Sequence, residues 1–147
     1  MSRAFVFPGQ GSQAIGMGRD LAAAFATARA LFQEIDAALG QDLFRLMQDG
    51  PEDELTLTEN AQPALMAVSL AVVRVIEQES GKILPQTCAY VAGHSLGEYS
   101  ALAAAGALAV ADTARLLKLR GQAMQRAVPV GEGAMAVAFV HRYLASA

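Results

Sequence analysis

The chain has 147 residues, enough for one domain of ordinary size. Its formal net charge is −3 and its cationic side chains form no cluster, so nucleic-acid binding is not expected. The single cysteine, Cys88, argues against a disulfide framework. Hydrophobic residues make up 54% of the chain, more than a small free-standing domain usually carries.

The first predicted element is a short apolar strand, Arg3–Phe7, which a glycine-rich loop, Pro8–Gln13, follows directly. Such a loop at the carboxyl end of a parallel strand can present backbone N–H groups to an anion. Its spacing matches neither G-x-x-x-x-G-K nor G-x-G-x-x-G, the two common phosphate-binding patterns. A purely structural turn remains the alternative, because Pro and Gly punctuate turns generally.

Helices are predicted between this strand and the next. Apolar residues at helical spacing over Leu21–Leu39 predict an amphipathic region that breaks near Thr27 and ends at Gly40. The next segment, Pro63–Ile76, is apolar nearly all round, which is typical of a helix buried inside a larger protein. Gly81 is expected to end it.

No segment is predicted to cross a membrane. The Pro63–Ile76 run is too short and contains Arg74. The N-terminal apolar run ends at Pro8, too early for a secretion signal. We therefore expect a cytoplasmic protein with no membrane partner.

The most informative motif is G-x-S-x-G at Gly93–Gly97, which lies between a predicted buried strand, Thr87–Ala92, and a predicted helix, Glu98–Ala105. This context is typical of a nucleophile elbow, in which glycines permit a sharp turn and expose the serine. The Ser95 hydroxyl would then lie beside the first free N–H groups of a helix, where negative charge is stabilised. The alternative is a capping box, in which Ser95 and Glu98 only begin the helix.

A last helix is predicted by an apolar stripe along one face. Arg120 lies at the edge of this stripe, beside Leu116 and Met124, where an arginine can reach the wall of a site. The alternative is a snorkelling surface arginine. The stripe consists of Val110, Ala114, Leu117, Gly121, Met124 and Val128.

A third strand is predicted at Ala134–Val140.

These motifs carry a family resemblance. FPGQGSQ near the start and GHSLGEYSAL in the middle resemble the malonyl-CoA:acyl-carrier-protein transacylases of fatty-acid synthesis, and polyketide synthase acyltransferase domains carry similar motifs. The resemblance runs from Ala4 to about Ala136 and includes QPAL, RGQAMQ and GEGAMA in the same order. Several matching blocks in order are far more specific than one G-x-S-x-G.

The resemblance implies an α/β fold with an α/β-hydrolase-like parallel-sheet core and a nucleophile elbow. Residues 1–133 would form the N-terminal part of this core, and residues 134–147 would begin the small ferredoxin-like subdomain and continue as a divergent tail. The chain thus resembles the N-terminal half of a transacylase, truncated before the small subdomain is completed. We interpret the segment after about Ala138 as a frameshifted or prematurely ended reading.

The implied activity is transfer of a malonyl group from coenzyme A to the phosphopantetheine thiol of acyl carrier protein. Ser95 would carry the group as an ester, so that one difficult exchange is split into two steps. The backbone N–H groups of Gln10 and Leu96 would form the oxyanion hole. Malonyl-CoA and acyl carrier protein are the implied partners. No cofactor or metal is implied, and the sequence contains no cluster of metal ligands.

Three further residues receive roles from the resemblance. Arg120 would pair with the free carboxylate of malonate, which a guanidinium can hold through two parallel hydrogen bonds. His94 would support the active site, and Gln62 would lie near the acyl pocket. For Gln62 the alternative is a helix-capping position, because Pro63 follows it at an expected helix start.

A general base is missing from this assignment. The chain has two histidines, His94 and His141, and neither matches the family's catalytic histidine. A basic patch of Arg115, Lys118 and Arg126 would suit an acidic carrier protein, although a solvated helix face is the alternative.

Three other functions stay open. The chain could be a catalytically impaired fragment or remnant, or an acyltransferase for another extender unit, as in polyketide synthesis. It could also be a hydrolase that uses the same serine, against which Arg120 and FPGQGSQ weigh.

Overall fold

The computed structural model of the chain describes residues 3–128. The predicted strand Ala134–Val140, the proposed subdomain at residues 134–147 and His141 lie outside the described residues. The elements, in chain order, are β1 (Ala4–Phe7), α1 (Arg19–Ala24), α2 (Ala26–Leu39), α3 (Leu43–Asp49), α4 (Glu52–Thr56), α5 (Thr58–Ser80), α6 (Leu84–Thr87), β2 (Tyr90–Gly93), α7 (Leu96–Ala104) and α8 (Val110–Ala127).

The two described strands form a parallel pair, with Ala4 opposite Tyr90 and Phe7 opposite Gly93. The first strand matches its prediction to within one residue. Because parallel strands end at the same edge, the loop after β1 and the turn after β2 meet there. The sheet therefore brings the two glycine-rich motifs of the sequence together.

The prediction of a buried strand at Thr87–Ala92 is wrong in two respects. Thr87 belongs to α6, because Pro85 suits a first helical turn and the Gln86 N–H donates to the Ile83 carbonyl at 2.9 Å. The strand itself is only partly buried, and Tyr90 is 68% exposed. Among the described residues, no further strand covers the sheet.

The first helices after β1 follow the sequence closely, whereas α3 and α4 have no predicted counterpart. The extended backbone of Phe25 separates α1 from α2, two residues from the predicted break. Gly40 ends α2 in the left-handed conformation, as predicted. In the core, the rings of Phe32 and Phe44 stack with centroids 4.4 Å apart.

Two carboxylates hold the start of α3. Asp36 Oδ1 accepts from the Phe44 N–H at 3.0 Å, and Asp42 Oδ1 accepts from the Arg45 N–H at 3.2 Å. Burial raises the pKa of Asp36 above its usual value, although the hydrogen bond from Phe44 opposes this shift. Asp36 thus combines a capping bond with the cost of partial burial.

The core is built around α5, which packs against α2, α7 and α8. This helix begins at Thr58, five residues before the predicted start, and ends at Gly81 as expected. Gln62 therefore lies inside the helix, and the alternative that it caps the helix is wrong. No helix among residues 3–128 is both long enough and apolar enough to cross a membrane.

Candidate active site

Ser95 occupies the turn between β2 and α7 in a conformation that L-residues rarely adopt. Its φ is 55° and its ψ is −116°, and it is the one non-glycine residue with positive φ among the described residues. Such a conformation costs about 1–3 kcal/mol, which the surrounding structure must offset. Its side chain caps no helix amide, so the capping-box alternative is wrong. The hydroxyl is exposed instead.

The glycines of the G-x-S-x-G motif allow backbones to approach closely. A Cβ added at Gly97 would lie 2.7 Å from the Pro8 carbonyl oxygen and closer still to that of Phe7. A Cβ at Gly93 would collide with the backbone of Gly97. Any larger residue would therefore force β1, β2 and α7 apart. The motif packs the first turn of α7 directly against the loop after β1.

His94 packs against that loop. Its N–H donates to the Phe7 carbonyl at 3.1 Å, which continues the pairing of the two strands. A Cβ at Gly9 would lie 2.5 Å from His94 Nδ1, so the imidazole covers Gly9. Next in the loop is Gln10, whose side-chain amide donates to Thr58 Oγ1 at 3.4 Å. The loop is thereby held between the turn after β2 and the start of α5.

Two backbone amides in the described part of the chain, one in the loop after β1 and one at the start of α7, lack a backbone acceptor. Within residues 3–128, the N–H groups of Gln10 and Leu96 donate to no backbone carbonyl. For Leu96 this follows from its place as the first residue of α7, since the first amides of a helix have no internal acceptor. The positive end of the helix dipole adds to the same field.

Arg120 reaches across from α8 to Ser95. Its Nη2 donates to Ser95 Oγ at 3.1 Å, and its Nη1 donates to Gln62 Oε1 at 2.7 Å. The guanidinium also lies 5.7 Å from the centre of the Tyr99 ring, within range of a cation–π interaction. The alternative of a snorkelling surface arginine is therefore wrong.

Gln62 orients that guanidinium from a fully buried position, with 0% of its surface exposed. Its Oε1 accepts from Arg120, and its Nε2 donates to Met124 Sδ at 3.3 Å. Both ends of the buried amide are satisfied, so its rotamer is fixed. The structure thus brings Ser95, Arg120 and Gln62 together.

Tyr99 is a further residue of the site, for which the sequence predicts no role. It lies four residues after Ser95, a spacing that places two residues on one face of a helix. The spacing from Ser95 could have indicated that Tyr99 lies near the site. Its contact with Arg120 depends on how α8 packs, which the spacing does not show.

No proton acceptor contacts Ser95 in the part of the chain that the structure describes. There Ser95 Oγ is hydrogen-bonded to Arg120 and to no imidazole or carboxylate. In the same residues, no group of three His, Cys, Asp or Glu side chains is placed to hold a metal ion. Within the described residues, the site combines the exposed Ser95 hydroxyl, two amides without backbone acceptors and the oriented Arg120 guanidinium.

Of the expected basic patch, Lys118 is turned towards the protein. Its Nζ donates to Gln41 Oε1 and Asn60 Oδ1, each at 2.8 Å. Arg115 donates to the Ala38 carbonyl at 3.1 Å and also pairs with an aspartate on its own helix. Lys118 is therefore committed to contacts within the chain.

Comparisons with known proteins agree with this architecture. The sequence profile of a family described as acyl transferase domain matches residues 4–142. The malonyl CoA-acyl carrier protein transacylase of Escherichia coli (strain K12) is 53% identical over 133 residues, which are 90% of this chain and 42% of that protein. The chain thus spans about two-fifths of the length of this relative.

Two solved structures are similar in fold. The acyl-carrier-protein-S-malonyltransferase of Bartonella henselae is 60% identical with a TM-score of 0.85, over 89% of this chain and 41% of that one. A malonyl-transacylase in complex with a type II PKS acyl-carrier protein is 50% identical with a TM-score of 0.81, over 88% and 40% of the two chains.

Proposed function

The chain belongs to the acyl transferase domain family and has its α/β fold; from that premise we propose that it transfers a malonyl group from coenzyme A to the phosphopantetheine thiol of acyl carrier protein. The observation that carries the proposal is the bridge that Arg120 makes between Ser95 and Gln62. It sets a carboxylate-binding group at hydrogen-bonding distance from a candidate nucleophile. The names of the relatives point to the same substrate and acceptor.

Ser95 is the proposed nucleophile, at the tip of a nucleophile elbow. Its Oγ would attack the thioester carbonyl, forming a C–O bond, and the C–S bond would break to release coenzyme A. The carrier-protein thiol would then attack the malonyl ester, forming a new C–S bond as the C–O bond to Ser95 breaks, and the thiol proton would pass to Ser95 Oγ. The first proton must pass to a base, and no imidazole or carboxylate of residues 3–128 is hydrogen-bonded to Oγ. We therefore expect slow acylation from these residues alone.

The Gln10 and Leu96 amides are the proposed oxyanion hole. Each of the two addition steps places negative charge on the former carbonyl oxygen. Preorganised N–H donors stabilise that charge without the reorganisation that water would need. Support comes from the absence of backbone acceptors for both amides within the described residues, and from the α7 N-terminus beside Ser95.

Arg120 would select acyl groups that carry a carboxylate. The malonyl carboxylate lies one methylene away from the thioester carbonyl that Ser95 attacks, so its binding group must lie close to Oγ. Nη2 of Arg120 is 3.1 Å from that oxygen. Gln62 and Tyr99 hold the guanidinium from its other sides. An acetyl group offers no carboxylate and would gain nothing from this arrangement.

Transfer to holo carrier protein, measured by mass spectrometry, tests the proposal. We expect malonyl-CoA to react faster than acetyl-CoA, Ser95→Ala to abolish transfer and Arg120→Ala to remove the preference. Arg115→Ala is the matched control, because Arg115 lies on the same helix and binds Asp112 and Ala38 instead of Ser95. Equal rates for the two thioesters in the parent chain would contradict the role of Arg120.

A further inference from the structure

The start of α5 lies against α8 with the two backbones in close contact. A Cβ at Gly121 would lie 2.6 Å from the Glu59 nitrogen and 2.7 Å from the Thr58 carbonyl oxygen. The absence of a side chain at Gly121 therefore permits the approach. Polar side chains on either side of this glycine then reach α5.

The N-terminus of α5 is capped by a residue of α8. Its own N-cap residue, Leu57, offers no side-chain acceptor. Gln125 Oε1 instead accepts from the Glu59 N–H at 2.8 Å. Because the cap comes from another helix, it fixes the position of the first turn of α5 along α8.

The Glu59 side chain is bound by the same face of α8. Glu59 Oε2 lies 3.1 Å from Lys118 Nζ and accepts from Gln122 Nε2 at 3.1 Å. The side chains of Lys118 and Glu59 are 22% and 25% exposed, so solvent screens the pair less than an open surface pair. The hydrogen bond from Lys118, together with that from Gln122 and the lysine charge, lowers the pKa of Glu59 against the opposing effect of burial.

We propose that Glu59, Lys118, Gln122 and Gln125 form a positioning device, the α5–α8 clamp, that holds Gln62 and Arg120 in register at Ser95 and thereby sets the preference for acyl groups bearing a carboxylate. The inference rests on the carboxylate-binding role of Arg120 in the proposed function. None of the four clamp residues is hydrogen-bonded to Ser95, so the clamp acts through Arg120.

The clamp contacts and the hydrogen bond between Arg120 and Gln62 depend on the same spacing between α5 and α8. Gln62 lies about one turn after Glu59 on α5, and Arg120 lies between Lys118 and Gln122 on α8. The bond from Arg120 to Gln62 is 2.7 Å long, so a shift of less than 1 Å between the helices would break it. A clamp within one turn of that bond prevents such a shift.

A second ion pair on α5 supplies a matched control. Arg74 Nη1 lies 3.1 Å from Glu34 Oε2 and joins α5 to α2, about three turns from Gln62. Lys118→Met and Arg74→Met each replace a cation by methionine and break an ion pair with an N···O distance of 3.1 Å. Only the first removes a clamp residue. Lys118→Met also removes the hydrogen bonds to Gln41 and Asn60, which Gln122→Met leaves in place.

Calorimetric affinities for malonyl-CoA and acetyl-CoA test the clamp without requiring acyl transfer. We expect Lys118→Met to reduce the ratio of the two affinities about fivefold, Arg74→Met to leave it unchanged, and Lys118→Arg to restore part of it. In an Arg120→Ala background, Lys118→Met should change the ratio no further. A merely structural role would weaken both ligands equally, and an unchanged ratio in Lys118→Met would overturn the proposal.

If Lys118→Met does not fold, Gln122→Met tests the clamp instead. It removes only one hydrogen bond, that to Glu59, and so disturbs the fold less. It should reduce the ratio about twofold, and an unchanged ratio would overturn the clamp. A parent chain with equal affinities would also overturn it. A parent that prefers malonyl-CoA but forms no ester on Ser95 contradicts only the proposed transfer, and the ratio in the variants still tests the clamp.

Discussion

Gly121→Ala tests the helix contact on which the candidate site depends. The added Cβ would lie 2.6 Å from the Glu59 nitrogen and 2.7 Å from the Thr58 carbonyl oxygen. The Glu59 Cα would lie closer still, and ordinary contact begins at about 3.4 Å, so α5 and α8 would have to separate by about 1 Å. All three neighbours are backbone atoms, so no side-chain rotation relieves the clash.

Two opposing effects determine the change in the free energy of unfolding. Helix propensity alone favours alanine over glycine by about 1 kcal/mol. Overpacking costs about 1–3 kcal/mol. Separation of the helices would also break the bond from the Glu59 N–H to Gln125, a loss of about 1 kcal/mol. We therefore expect Gly121→Ala to destabilise the fold by about 1–3 kcal/mol.

Urea unfolding followed by far-ultraviolet circular dichroism measures this change. Ala123→Gly, at an exposed position of the same helix, reports the propensity difference by itself and should cost about 1 kcal/mol. If Gly121→Ala instead stabilises the chain by about the amount that Ala123→Gly costs, the packing argument is refuted.

Three further predictions concern single side chains. Ser95→Gly should raise the free energy of unfolding by about 1 kcal/mol, because glycine accepts a φ of 55°, while abolishing acylation; urea unfolding and intact-mass analysis measure the two effects. Arg120→Lys should reduce the rate preference for malonyl-CoA about tenfold or more, since an ammonium cannot reproduce the two-sided bonding of the guanidinium. Asp36→Ala should cost about 1 kcal/mol by losing the bond from Phe44, whereas Asp36→Asn keeps an acceptor. Because the folded-state pKa of Asp36 is raised, the parent should lose stability relative to Asp36→Asn as pH rises through that pKa. A constant difference in urea stability between pH 4 and 7 would contradict this sign.

Local patterns predicted most of the elements correctly. The break between α1 and α2 and the ends of α2 and α5 at Gly40 and Gly81 follow from apolar spacing and from turn residues, whereas the parallel sheet is what the family resemblance implies. The predicted start of the second strand, Thr87, is wrong because Pro85 favours a helical turn that includes Thr87. The predicted burial of the second strand is also too high, since burial depends on neighbouring elements and not on the run of apolar residues.

The sequence predicts the turn at Ser95 but not the packing that brings Arg120 and Gln62 to it. Glycines around Ser95 indicate a sharp turn, and this information is local. The meeting of Arg120 with Gln62 depends on how α5 packs on α8, across nearly 60 residues of sequence. That packing is set by Gly121 and by a cap from Gln125, and neither has a local signature. The roles of Gln10, Leu96 and His94 stay predictions.

The most direct test of the central claim is intact-mass analysis with peptide mapping after incubation with excess malonyl-CoA. The account predicts one malonyl ester on Ser95, formed slowly, absent in Ser95→Ala and formed in lower yield by Arg120→Ala. Acetyl-CoA should give less adduct than malonyl-CoA in the parent chain and no less than malonyl-CoA in Arg120→Ala. An adduct that persists in Ser95→Ala, or no adduct at all on Ser95, would contradict the account.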